Sequence, residues 1–128
     1  MMRCWQRIMV REEQAVATDA VRAELARILA SPRFDASDRN RHFLAHVVEE
    51  ALTGRTDRIK AYTIATEVFG RDPKFDPQLD SIVRIEAGRL RRCLERYYLT
   101  DGRTSRLRID VPRGGYAPVF ATVEPVAL

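Results

Sequence analysis

The side chains best placed to do chemistry lie between Ser81 and Tyr98, where Arg84, Arg89, Arg91, Arg92 and Arg96 crowd one stretch. Arginine presents a planar fork of donors that fits a phosphate or the O6/N7 edge of guanine. At about 100° per residue, Ser81, Arg84, Ile85, Arg89, Arg92 and Arg96 fall on one helical face, with Arg91 at its boundary. Val83, Ala87, Leu90 and Leu94 recur at i, i+4, i+7 and i+11 on the opposite face, and Tyr97 and Tyr98 extend that stripe. A helix anchored by its apolar back and arginine-rich on its front is suited to a polyanion. Arg84 and Arg92 stand two turns apart, a spacing that serves guanine contacts and phosphate contacts equally. Ile85 fits a thymine methyl or packing under the 71–77 loop. A merely solvated polar face would contain the same residue types, so the surrounding elements decide between the two readings.

Other candidate groups are weaker. His42 and His46 are four residues apart, a metal-binding spacing, but Phe43 stands where a zincin needs glutamate. Both histidines read as surface or internally satisfied side chains. Glu49 and Glu50 are adjacent, so a helix splays them apart and makes them a poor acid–base pair. There is no glycine-rich phosphate loop and no histidine–carboxylate–nucleophile set. Cys4 and Cys93 are isolated, which suits a reduced setting, and Cys93 reads as a small packing residue. These residues predict no enzyme, no metal and no cofactor.

Charge supports the first reading. The net charge of the 128 residues is +4, but residues 1–80 hold 13 basic and 13 acidic side chains. Residues 81–113 hold 9 basic against 4 acidic side chains. The basic surplus therefore sits in the arginine helix and just beyond it, the footprint of a polyanion binder. No apolar run approaches the ~18 residues of a membrane span. Met1 to Val10 lacks the apolar core of a signal peptide. A cytoplasmic, nucleoid-associated protein without membrane contact is expected.

The positioning elements follow from periodicity and breakers. Residues 1–18 read as a flexible arm. Val21, Leu25, Ile28 and Leu29 mark a helix over Asp19–Ala30, ended by Ser31-Pro32. Ser37 or Asp38 caps a second helix running to about Thr53, with Phe43, Leu44, Val47, Val48, Ala51 and Leu52 buried and Gly54 at C′. A short third helix spans about Ala61–Phe69, with Tyr62, Ala65, Val68 and Phe69 as core, and Gly70 closes it. Two prolines make Arg71 to Pro77 a loop, pinned by Phe75, and Asp76 or Asp80 caps the arginine helix. Arg106 to Val111 alternates as a half-buried strand. Pro112-Arg113-Gly114-Gly115 turns the chain, and Tyr116 to Val123 returns as an edge strand limited by Pro118. Residues 19–122 thus form one domain, and 123–128 a tail.

The expected fold is mainly α with a small antiparallel β-hairpin: a helix bundle with a C-terminal wing, the winged helix-turn-helix. Arg113 and Gly114 then sit at a slim wing tip able to reach phosphate or a minor groove. At this point Phe69-Gly70-Arg71-Asp72, the stretch Val83 to Leu94, and Ile109 to Tyr116 together resemble the C-terminal half of OmpR/PhoB- and ToxR-type transcription regulators. From Val21 onward the chain is also similar to an uncharacterised N-terminal module of larger bacterial signalling proteins with TolB-like, tetratricopeptide or adenylate-cyclase parts. It departs from the OmpR pattern in having a helix where those regulators have a four-stranded sheet, and a short, proline-rich loop before the arginine helix. The resemblance implies a regulator of transcription with double-stranded DNA as partner, and RNA polymerase or a signalling protein as a further one. The expected DNA-binding residues are Ser81, Arg84, Ile85, Arg89, Arg91, Arg92, Arg96, Arg113 and Gly114. The alternative is a protein-docking module, in which the arginines meet an acidic partner or the apolar surface of helix one forms a homodimer.

Overall fold

The computed structural model describes residues 18–123; residues 1–17 of the expected arm, with Cys4, and residues 124–128 of the expected tail lie outside the described residues, while residue 18, expected in the arm, already belongs to the first helix. We number the helices α1 (18–30), α2 (Asp38–Leu52), α3 (Ala61–Glu67) and α4 (Ile82–Leu99), and the strands β1 (Leu107–Asp110) and β2 (Val119–Thr122). A 3-10 turn, Thr56–Arg58, occupies the connection read as a polar turn. The described chain is mainly helical with one two-stranded antiparallel sheet.

Local chemistry sets the boundaries. α1 stops at residue 30, before Pro32, and Arg41 takes the carbonyls of Leu29, Phe34 and Ala36 at 2.6, 3.0 and 3.1 Å. Those carbonyls belong to a helix end and its connector and have no helical partner of their own. Ser37 caps α2, its hydroxyl accepting from the Asn40 N–H at 3.1 Å. α2 ends in a Schellman pair: Gly54 N–H donates to Ala51 O and Arg55 N–H to Glu50 O, with Gly54 at φ +78°. α3 ends two residues earlier than the periodicity predicts: Val68 N–H keeps the helical bond to Ile64 O, but Phe69 N–H also goes to Ile64 O, and Ala65 O is taken by Arg71 N–H beyond Gly70.

The core gathers one stripe from each helix. Val21 and Ile28 of α1, Phe43, Leu44, Val47 and Val48 of α2, Ile64 and Ala65 of α3, and Ala87 and Leu90 of α4 are fully buried. Phe43 meets Phe69 edge-on at 5.5 Å between ring centroids. One expectation needs correcting. Tyr62 is 47% exposed and not core; its hydroxyl donates to Pro73 O at 3.1 Å and ties down the α3–α4 loop. Along the stripe of α1, Val21 and Ile28 are fully buried, while Leu25 and Leu29 are half-buried against the core.

The hairpin is shorter than alternation suggests. β1 and β2 pair Leu107 with Thr122, Arg108 with Ala121, Ile109 with Phe120 and Asp110 with Val119. Val111 drops out of the ladder because its N–H bonds to Asp110 Oδ1 and its carbonyl accepts from Arg91. β2 begins only at Val119, after Pro118, which has no N–H to donate. Tyr116 instead turns toward the core, 6.4 Å from the Phe43 ring.

Candidate functional site

α4 is held from behind and at its start. Val83, Ala87, Leu90, Leu94, Tyr97 and Tyr98 are buried, as their spacing predicts, and dock α4 on α2, α3 and β1. Asp80 accepts from Ile82 N–H at 3.0 Å and from Arg71 Nε at 2.9 Å, so the proline-rich loop is fastened to the helix N-terminus. Phe75 packs on the core edge as expected. With 18 residues, α4 is about 27 Å long.

A cleft runs between α4 and the hairpin loop. Arg84, Gly88, Arg91, Arg92 and Glu95 line it from the helix, and Arg113, Gly114, Gly115 and Tyr116 from the loop. Gly114 adopts φ +97°, a left-handed conformation that side chains other than glycine resist, and the tip is exposed. A second cleft lies on the other flank of α4, where Arg89, Arg92, Cys93 and Arg96 face Asp35, Ala36, Ser37 and Asn40. Arg92 borders both. The exposed edge of α4 therefore carries positive charge toward two neighbouring concavities.

The structure sorts the arginines by what they already hold. Arg84, Arg92, Arg96 and Arg113 are exposed, and none forms an ion pair among the described residues. Arg89 is exposed but bonded to Glu86 at 2.8 Å. Arg91 is committed to the hairpin loop: its guanidinium donates to Val111 O at 2.7 Å, Gly115 O at 2.9 Å and Pro112 O at 3.2 Å. It positions Arg113 and Gly114 rather than standing free. Ile85 is 49% exposed, so it faces solvent and does not pack under the loop. Ser81 is the N-cap of α4, half-buried, and its side chain makes no capping bond.

Three features of the site escaped the sequence reading. Asn40 and Glu86 are buried, and the Asn40 amide donates to the Glu86 carbonyl and carboxylate at 2.9 and 3.0 Å, joining α2 to α4. Gly88 opens the middle of the arginine face; a Cβ there would meet only Arg92 Nη1, at 3.8 Å. Glu95 shares the cleft with four arginines. Its spacing from Arg84 and Arg92 places it on that face, a signal the sequence did contain. Behind the site, burial pushes the Tyr98 hydroxyl far above its ordinary pKa, so it stays protonated. It donates to Glu24 at 2.8 Å and accepts from Ile109 N–H at 2.7 Å, while Arg108 lies 4.7 Å over its ring. Burial likewise pushes the Cys93 thiol up, and its Sγ rests 3.5 Å from Asp35 O, in keeping with a packing role. His46 faces Glu67, Nε2 to Oε2 3.7 Å, and His42 is exposed.

No protein-family model, no curated protein and no solved structure matches the chain. The site is therefore read from its own geometry. No helix among the described residues is long and apolar enough to cross a membrane.

Proposed function

We propose that this chain is a double-stranded DNA-binding transcription regulator of the winged helix-turn-helix type. In this reading α4 enters the major groove, and the 112–115 loop is a wing that touches phosphate or an adjacent minor groove. One observation carries it. Arg84 and Arg92 on α4 and Arg113 on the loop line the same cleft without ion-pair partners among the described residues, while the back of α4 is core. An unpaired arginine cluster on a rigid helix meets a polyanion without first breaking internal bonds. Arg91, by clasping three loop carbonyls, fixes the distance between helix and tip before DNA arrives. The regulatory role rests on the resemblance to OmpR/PhoB- and ToxR-type regulators, and it would place the chain on the nucleoid.

Fluorescence anisotropy on genomic duplex fragments at two salt concentrations tests the reading. About 4–6 phosphate contacts would make log affinity fall with log salt at a slope near −4 to −5. Salt-insensitive behaviour, or no binding to any duplex at low salt, rejects it. A second reading, docking to a protein partner, is favoured by Leu79, which is 87% exposed just before α4. In that case a pull-down would depend on the α4 arginines while duplex binding is absent.

A further inference from the structure

Glu95 is the odd group in the cleft. Four arginines line it (Arg84, Arg91, Arg92 and Arg113), and Glu95 is the one acidic side chain among the described residues that line it. It also borders the adjoining cleft formed by Leu94, Tyr98, Arg108, Asp110 and Pro112, so it stands where the C-terminal half of α4 passes the hairpin. It is exposed and forms no ion pair among the described residues. The contrast with Glu86 is direct, since that carboxylate is buried and occupied by Asn40 and Arg89. Arg91 makes no ion pair with Glu95 among the described residues; its Nε and Nη2 donate instead to Val111, Pro112 and Gly115.

A free carboxylate in a phosphate-binding cleft is costly unless it finds a donor. It is acceptor-only, so phosphate oxygens, guanine O6 and N7, and thymine O4 all repel it. The major-groove donors are the exocyclic amines of cytosine and adenine, and adenine places its N7 acceptor beside its amine. Cytosine N4 is therefore the best match. We infer that Glu95 is a specificity-determining residue that selects a cytosine, through its N4 amine, beside the base read by Arg92. This rests on the DNA-binding reading proposed above. Arg92 and Glu95 are three residues apart, about 4.5 Å along the helix, which places the cytosine one or two base pairs from the Arg92 contact. The same carboxylate bars the DNA backbone from that end of the cleft, so bases and not phosphates face it.

The test is selection from a pool of random-sequence duplexes with the wild-type chain, Glu95→Ala and Glu95→Gln. The wild type should enrich a motif with an invariant C·G pair close to a guanine. Glu95→Ala should lose preference at that pair alone, by roughly five- to a hundredfold, and leave the rest of the motif intact. Glu95→Gln should move the preference toward A·T, because the amide can both accept and donate. Circular dichroism confirms that both variants keep their helix content, as expected for an exposed side chain. The inference is overturned if Glu95→Ala enriches the unchanged motif, or binds every duplex more tightly with no change of motif. If the wild type retains no duplex, the DNA-binding reading falls and this inference with it; an unchanged Glu95→Ala motif on duplexes that still bind overturns this inference alone.

Discussion

Arg84 and Arg92 differ from Arg89 and Arg91 by a few bonds, and those bonds set what each can do. A guanidinium already donating to a carboxylate or to carbonyls must surrender those partners before it meets a base. Arg84→Ala or Arg92→Ala should therefore lower affinity for a preferred duplex by about 1–3 kcal/mol and relax specificity at one position, read in competition titrations. Arg113→Glu should weaken all duplexes nearly evenly, since the exposed tip has only phosphate and groove edges within reach. Unequal losses across sequences for Arg113→Glu would assign it a base contact instead. Periodicity put the exposed arginines on one face, and that much was legible. Which of them are free was not. The partners of Arg91 lie 20 to 24 residues away, and those of Glu86 include Asn40, 46 residues away.

At the scale of elements, α4 contains a local conflict that its use would explain. Gly88 interrupts a helix at a cost of about 1 kcal/mol relative to alanine. Nothing among the described residues needs the space, as a methyl there would touch only Arg92. Gly88→Ala should raise stability in urea unfolding by about 0.5–1 kcal/mol and at the same time weaken DNA binding, because the methyl intrudes where a partner approaches. Equal binding by the variant would show that the cleft floor is not contacted. The joint between α1, α4 and β1 behaves differently. Tyr98→Phe leaves the Ile109 N–H and one oxygen of the fully buried Glu24 without their partner. Two buried groups left unpaired should cost about 2–4 kcal/mol, measured by the urea midpoint at constant slope. A change below 0.5 kcal/mol would mean that water replaces the hydroxyl. The strand pattern foretold Ile109 as buried, but no pattern foretells a tyrosine that bonds both a helix carboxylate and a strand amide.

For the whole molecule, two ion pairs brace α2: the exposed Arg22–Glu49 pair joins it to α1 at 2.7 Å, and Arg55 just past its end meets the buried Glu50 at 3.1 Å. Hydrogen bonds from these arginines hold both carboxyls below the ordinary glutamate range. A depressed folded-state pKa means that the stabilisation is complete above the unfolded value, near 4.3. It is lost as pH falls through the lower folded values. Thermal melts should thus be flat from neutral pH to about 5 as far as these pairs contribute, and should decline in acid below about 4. The Arg22→Ala, Arg55→Ala double variant should show a shallower acid decline, and an unchanged profile would remove the pairs from the account. The Arg22–Glu49 share is small because an exposed pair is screened and holds its side chains at an entropic cost.

The sequence by itself determined most of the helix boundaries. Ser31-Pro32, the Ser37 cap, Gly54 at C′, the 71–77 loop and the Asp80 fastening of α4 are all local chemistry, settled within a few residues along the chain. It also determined which helix faces are buried, since a period of 3.6 leaves little choice once a core exists. Tertiary structure alone decided the rest. It exposed Tyr62, set the stripe of α1 against the core, shortened the hairpin by diverting the Val111 carbonyl to Arg91, and left Arg84, Arg92, Arg113 and Glu95 facing one cleft. Those outcomes depend on where long, flexible side chains find hydrogen-bond partners distant in sequence, and no spacing rule contains that information.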